Sequence, residues 1–311
     1  MNIAILGTGF GSYHVRLLKN MVQVDRVVVF GRNESKLETL REELGVEVTN
    51  RINEIMDDPD IDVIDICLPS PLHRQFAVEA LNKGKHVICE TPVCLDLEDA
   101  RAMKQAEKQS GKRILVNQFI KFEPAYCYLR SAIEEQTYGK LLSLTLKRET
   151  APLWGDLGLA SITTNLMIHE LDFVTAVMGS TDDMTVWGTE SQDKRQALVR
   201  ACFKCPEAHT EIVASSQMPA SYPFTVSYEA YFDDAKLVFH ERDANGNTHT
   251  ALYEHTASGK QKLALEPLNP YEKSLEHAIH CFQNHTEPLI SLDHALQSLE
   301  IAIKLKKQLV K

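Results

Sequence analysis

The chain has 311 residues, enough for two domains with separate cores, and its apolar and charged fractions of 44% and 24% are those of a globular protein. A net charge of −10 gives no electrostatic support for binding nucleic acid. No apolar run is long enough to span a membrane, the first residues lead into a strand without a signal-peptide layout, and seven scattered cysteines fit free thiols, so the expectation is a cytoplasmic protein.

Residues 1–6 form a short apolar run of strand type. Gly7-Thr8-Gly9-Phe10-Gly11-Ser12 follows at once, and a helical pattern begins at Tyr13. Strand, glycine turn and helix together make the setting in which such a string holds a pyrophosphate. Gly7 permits the tight turn, Gly9 leaves room for the phosphate, and the helix N-terminus offers unpaired N–H groups and a positive dipole end. Phe10, Gly11 and Ser12 complete this first set of candidate cofactor contacts. Ser12 stands where a third glycine is usual, which predicts slightly looser helix–strand packing.

Strands are expected at 25–30, 46–48, 63–68, 86–90 and 114–117, and helices at 34–44, 72–83 and 97–110. Short apolar strands alternating with helices predict a parallel sheet covered on both faces. With the glycine turn, this is a doubly wound Rossmann domain over residues 1–118. The second strand ends Val29-Phe30-Gly31-Arg32-Asn33, with no acid to hold a ribose 2′-hydroxyl. Arg32 can pair with a 2′-phosphate, so NADP is favoured, with NAD possible; the bland alternative is a solvated Arg32 before an Asn33 helix cap. Ligands bind outside the carboxyl ends of such strands. That makes Leu68, Ser70 and His73 candidates after the fourth strand, Glu90, Thr91 and Pro92 after the fifth, and Gln118 after the sixth.

Beyond Gln118 the pattern changes. A helix at 124–136, a strand at 141–148 and a helix at 162–178 precede a series of strand-like runs from 184 to 263. Turn clusters such as Ala244-Asn245-Gly246-Asn247 separate them, which predicts an antiparallel sheet built from hairpins. Helices at 271–284 and 292–309 close this second domain, residues 119–311, and the last helices can pack back on the first. Cys202-Phe203-Lys204-Cys205 has the spacing of a redox or zinc pair but no second pair to complete it, and reads as two unrelated strand cysteines.

Several motifs together resemble the Gfo/Idh/MocA family, the relatives of glucose–fructose oxidoreductase and inositol dehydrogenase. They are the glycine turn with His14 behind it, Ser70-Pro71-Leu72-His73, Gly84-Lys85-His86-Val87 leading to Glu90-Thr91-Pro92, Lys121-Phe122-Glu123-Pro124, and His169-Glu170-Leu171-Asp172. The resemblance covers nearly the whole chain. It implies a C-terminal α/β domain with a large, mostly antiparallel open sheet whose exposed face makes a homodimer or homotetramer. It also implies NAD(P)-linked chemistry on a sugar, amino sugar or cyclitol. Thr91 stands where relatives usually carry lysine, Asn165 where they carry aspartate, and Lys121 where they carry arginine.

Read as one helix, 162–178 brings Asn165, His169 and Asp172 to one face, at spacings of four and three. A histidine is the natural base as hydride leaves an alcohol. His169 is therefore the candidate proton-transfer residue, with Asp172, Asn165 and Thr91 beside it and Lys121 and Trp154 lining the substrate cleft. His169 and Asp172 have no further ligands at telling spacing, so no metal is expected. The alternative reading is a cofactor-binding regulator that has lost catalysis, because Thr91 and Asn165 lack the charges that relatives carry there.

Overall fold

The structure, a computed structural model, describes residues 1–179, 182–204, 208–244 and 246–310. It contains two compact units. One is Met1–Phe119 with Asn269–Leu296, and the other is Ile120–Leu268 with Gln297–Lys311.

The first unit is built on strands β1 (Asn2–Leu6), β2 (Arg26–Phe30), β3 (Glu47–Thr49), β4 (Val63–Ile66), β5 (His86–Cys89) and β6 (Ile114–Val116). They pair in parallel in the order β3-β2-β1-β4-β5-β6, the doubly wound order with its switch point between β1 and β4. Ile3, Ile5, Leu6, Val63, Ile64 and Val87 are fully enclosed, as strands covered on both faces require. The crossover helices are α1 (Gly11–Leu18), α2 (Glu34–Leu44), the short α3 (Asn53–Met56), α4 (His73–Asn82) and α5 (Leu97–Ser110). Local chemistry sets their ends. The Asn33 side chain accepts from the Lys36 N–H, Asp96 accepts from Glu98 and Asp99, and Gly45 and Gly111 close α2 and α5 in the left-handed conformation. The β6 edge is covered by the returning segment, where the Val116 N–H donates to the Ile290 carbonyl at 2.8 Å and Leu115 bridges Ser291.

The second unit opens with α6 (Pro124–Glu134) and β7 (Leu141–Glu149), followed by α7 (Ile162–Asn165) and α8 (Ile168–Met178). Seven further strands run from β8 (Met184–Glu190) through β9 (Ala197–Lys204), β10 (His209–Ser215), β11 (Phe224–Phe232), β12 (Ala235–Ala244) and β13 (Asn247–Thr256) to β14 (Gly259–Leu263). The eight-stranded sheet runs β14-β13-β12-β11-β7-β10-β9-β8. It is antiparallel except where β7 and β10 pair in parallel, a long-range match that hairpin signals do not reveal. One face buries Tyr126, Phe173, Tyr228 and Phe239 in an aromatic cluster. Elsewhere in the sheet Trp187, Tyr231 and Leu142 stay exposed. Cys205, Pro206 and Asn245, part of the Cys-x-x-Cys and turn motifs, lie outside the described residues; Cys202 lies in β9.

The single helix expected over 162–178 is two helices. Leu166 and Met167 interrupt it, and the Met167 N–H reaches back five residues to the Ile162 carbonyl at 2.9 Å. Ile162, Leu166, Met167 and Ile168 are all buried while Asn165 is exposed, and no Pro or Gly in the sequence marks the break. No helix of the described residues is long and apolar enough to cross a membrane.

Candidate functional site

At the switch point the three glycines of the turn have different surroundings. Gly7 adopts φ +119°, and a Cβ there would meet the Cys67 carbonyl oxygen at 2.5 Å. A Cβ on Gly11 would meet Ile5 Cγ2 at 3.1 Å and Cys67 Cβ at 3.2 Å, so Gly11 is where α1 approaches the sheet. A Cβ on Gly9 would meet nothing within 4 Å. Gly9 therefore opens a cradle beside the α1 N-terminus, the shape and polarity that a dinucleotide pyrophosphate needs. The loosening expected at Ser12 does not follow, because Gly11 makes the close approach and the Ser12 hydroxyl donates to the Thr8 carbonyl at 2.9 Å.

The turn is braced from the returning segment. Asn269 donates to the Tyr13 hydroxyl at 2.7 Å. The Tyr271 ring, at the start of α9 (Pro270–Asn284), stacks on Phe119 at 4.1 Å and meets Phe10 and Tyr13 at 5.4 and 5.6 Å. Arg32 is exposed just past Gly31, where no carboxylate ends β2. A Cβ on Gly31 would strike Thr8 Cγ2 at 2.5 Å, so glycine lets this strand end lie against the turn.

His73 is buried, with Nε2 2.7 Å from the Leu68 carbonyl and Nδ1 3.0 Å from the Pro92 carbonyl. Burial lowers its pKa. It fastens the loop after β4 to the loop after β5, and both ring nitrogens face protein carbonyls. The Thr91 hydroxyl donates to the Asn117 carbonyl at 3.3 Å. Ser70 starts a half-buried turn ahead of α4, Leu68 is half-buried, and Gln118 is buried past β6.

Sequence reasoning passed over a polar cluster at these strand ends. His14 lies between Asp65 and Glu90, with Nδ1 2.8 Å from Asp65 Oδ2 and Nε2 3.1 Å from Glu90 Oε1. The signal was an aspartate inside the continuous apolar run Val63-Ile64-Asp65-Ile66.

In the second unit Lys121 and Asp172 form an ion pair at 3.1 Å, each side chain 3% exposed. His169 is on the same helix, one turn before Asp172. Burial, reinforced by the Arg148 charge, holds the His169 pKa well below its ordinary value, so the imidazole is neutral and able to accept a proton. Arg148 on β7 grips Glu170 through Nε at 2.9 and 3.0 Å and through its terminal nitrogen at 2.8 Å, with Glu170 fully enclosed. Burial raises the Glu170 pKa against the pull of Arg148. Burial and the neighbouring Glu241 raise Glu123 to about 7. Asn165 ends α7, is exposed, and accepts from the Thr164 hydroxyl at 2.8 Å. The helix break means that the shared-face argument holds for His169 and Asp172 but does not extend to Asn165. Trp154 is 53% exposed and packs edge-on against Phe224 at 4.9 Å.

A parallel sheet in this order, with open space at Gly9 beside its switch point, defines the first unit as a Rossmann fold. Residues 1–118 match the Gfo/Idh/MocA family model, described as an oxidoreductase family with an NAD-binding Rossmann fold. That match covers the part of the chain that carries the parallel sheet. It is 26% identical over 184 residues to the myo-inositol 2-dehydrogenase of Thermotoga maritima, covering 58% of this chain and 55% of that protein. The chain thus spans just over half the length of this curated relative. A 1,5-anhydro-D-fructose reductase of Ensifer adhaerens is 22% identical over 278 residues, covering 85% of this chain and 82% of that protein. Among solved structures, the UDP-N-acetylglucosamine 3-dehydrogenase of Acidithiobacillus ferrooxidans superposes with a TM-score of 0.82 at 18% identity, covering 99% of this chain and 97% of that one, a likeness of fold.

Proposed function

We propose that this chain is an NAD(P)-dependent oxidoreductase that transfers hydride between a nicotinamide and a sugar, amino sugar or cyclitol, with NADP favoured. The observation that carries the reading is the open cradle at Gly9, set before α1 at the switch point. The dehydrogenases and the reductase among its relatives support the substrate class.

Gly7, Gly9, Phe10, Gly11 and Ser12 hold the pyrophosphate, and Arg32 pairs with a 2′-phosphate. Leu68, Ser70, Glu90, Thr91, Pro92 and Gln118 form the cofactor side at the strand ends, with His73 fixing two of the loops. The bound nicotinamide supplies the hydride acceptor or donor. His169, neutral at Nδ1 or Nε2, takes the hydroxyl proton as an alcohol is oxidised and returns it in reduction. Asp172 and Lys121 hold the substrate as a pair of opposite charges, with Asn165, Thr91 and Trp154 as further contacts. Thr91 donates a hydrogen bond but brings no cation to a developing alkoxide. We also infer a cytoplasmic protein that forms a homodimer or homotetramer through the large sheet, where Trp187 and Tyr231 are exposed.

The test is turnover of NADPH or NADP, in both directions, across a panel of polyols and keto-sugars, with His169→Ala as control. Turnover abolished by the substitution is the expected result. Cofactor binding with no turnover across the panel supports the second reading, a regulator of the same fold, and rules out the first.

A further inference from the structure

Four elements converge on one imidazole in the first unit. His14 on α1 and Asp65 on β4 are both fully enclosed. Glu90 follows β5, and its side chain is 17% exposed. Asn117 follows β6 and donates from Nδ2 to Glu90 Oε1 at 2.6 Å, the same oxygen that faces His14 Nε2. Asn117 Nδ2 also stands 3.3 Å from Nε2. The Cys67 thiol is 3.4 Å from Nδ1 and 3.6 Å from Asp65 Oδ1, and the Phe10 ring meets His14 edge-on at 5.3 Å.

A neutral imidazole has one N–H and one lone pair. Set between two carboxylates, it donates to one and turns its lone pair on the other at 3.1 Å or less; at Nε2 that lone pair also meets the Asn117 amide donor at 3.3 Å, a longer contact than that amide's 2.6 Å bond to Glu90. An imidazolium donates to both. Burial alone pulls the His14 pKa down, but the Asp65 charge and hydrogen bond, with help from Cys67, outweigh it and leave the value well above normal. The ligand atoms of His14, Cys67 and Glu90 lie within 4.8 Å of one another, as a metal site requires. Burial and Asp65 raise the Cys67 thiol pKa, however, which disfavours the thiolate that a metal would take.

We propose that His14 is a standing imidazolium and a positioning residue, tying Glu90 to Asp65 so that the second Glu90 oxygen can accept from a hydroxyl or amide of the bound dinucleotide. Glu90 Oε2 accepts no hydrogen bond among the described residues. Glu90 stands at the carboxyl end of β5, where this fold binds ligands. The positioning role rests on the cofactor reading above; the charge on His14 does not.

The experiment is in two parts on the full-length chain. Nitrogen-15 NMR of histidine-labelled protein without cofactor reads the His14 ring. Both nitrogens are expected to carry protons past the range where an ordinary histidine titrates. A ring with one proton near neutral pH overturns the proposal, whether or not a dinucleotide binds. The second part measures NADPH affinity against pH for wild type and Asp65→Asn. Wild type is expected to show no His14 titration in its affinity profile. The variant, with one anion removed, is expected to lose roughly tenfold in affinity as pH rises and His14 deprotonates, the scale of one charge-assisted hydrogen bond. A uniform loss with no new pH dependence indicates a merely structural His14 and overturns the positioning role. Should Asp65→Asn not fold, Glu90→Gln takes its place: weaker NADPH binding with the His14 ring still doubly protonated is expected, and unchanged binding overturns the role.

Discussion

Lys121 and Asp172 face each other at 3.1 Å with both charged groups withdrawn from solvent. Their separation in sequence is wide, so the pair exists only in the folded second unit. Two buried charges contribute little net stability while paired, but removing one is costly. Lys121→Met takes away the cation opposite a buried carboxylate and is expected to destabilise the protein by about 3–5 kcal/mol. The double variant Lys121→Met/Asp172→Leu is expected to recover most of that loss. Urea unfolding of the three proteins checks both, and equal destabilisation by the single and double variants contradicts the account.

Glu123 predicts a pH dependence of stability. Its folded pKa is raised from an ordinary 4.5 to about 7, so between these values the unfolded chain has lost a proton that the folded chain keeps. Stability from this group is fully present below pH 4.5 and falls as pH rises towards 7, by about 3 kcal/mol. Unfolding free energies of wild type and Glu123→Gln are expected to converge at low pH and to separate above neutrality, with the variant more stable there. Parallel profiles refute this.

His169 acts in the opposite sense. Burial and Arg148 depress its folded pKa, so the unfolded chain gains a proton first as pH falls. Its contribution to stability is complete above about pH 6.5 and is lost as pH drops through the folded value. The same neutral ring places the acid limb of the oxidation rate below pH 6.5. A rate profile with its acid limb at or above neutrality speaks against His169 as the base.

The proposed preference for NADP rests on Arg32. Arg32→Ala is expected to weaken NADPH binding roughly tenfold, as befits an exposed charge-assisted contact, and to leave NADH binding nearly unchanged. Equal losses for the two cofactors argue against a 2′-phosphate contact.

The first unit was legible because its signals are local. Asn33 caps α2 and Gly111 ends α5 within a few residues of the pattern they bound, and the glycine turn follows β1 directly. The pairing of β7 with β10, the bracing of Tyr13 by Asn269 and the enclosure of His14 by Asp65 and Glu90 depend on residues brought together from far along the chain. The break at Leu166–Met167 was hidden for another reason. No Pro or Gly stands there, and Thr163, Thr164 and Asn165 before it are only mildly unfavourable in a helix. The glycines show the same division. Spacing assigns the turn to Gly7 and the open space to Gly9, but only its surroundings show that Gly11 makes the packing contact.

That separation supplies the most direct measurement of the central claim, that the first unit binds a dinucleotide at Gly9. A side chain at position 9 enters open space and leaves the packing intact, whereas one at position 7 strikes the Cys67 carbonyl. NADPH and NADH are titrated into wild type and Gly9→Val by calorimetry, with thermal unfolding measured alongside. The account predicts binding to wild type, tighter for NADPH, and loss of that binding in Gly9→Val at an unchanged melting temperature. Failure of wild type to bind either dinucleotide, or full binding by Gly9→Val, contradicts it.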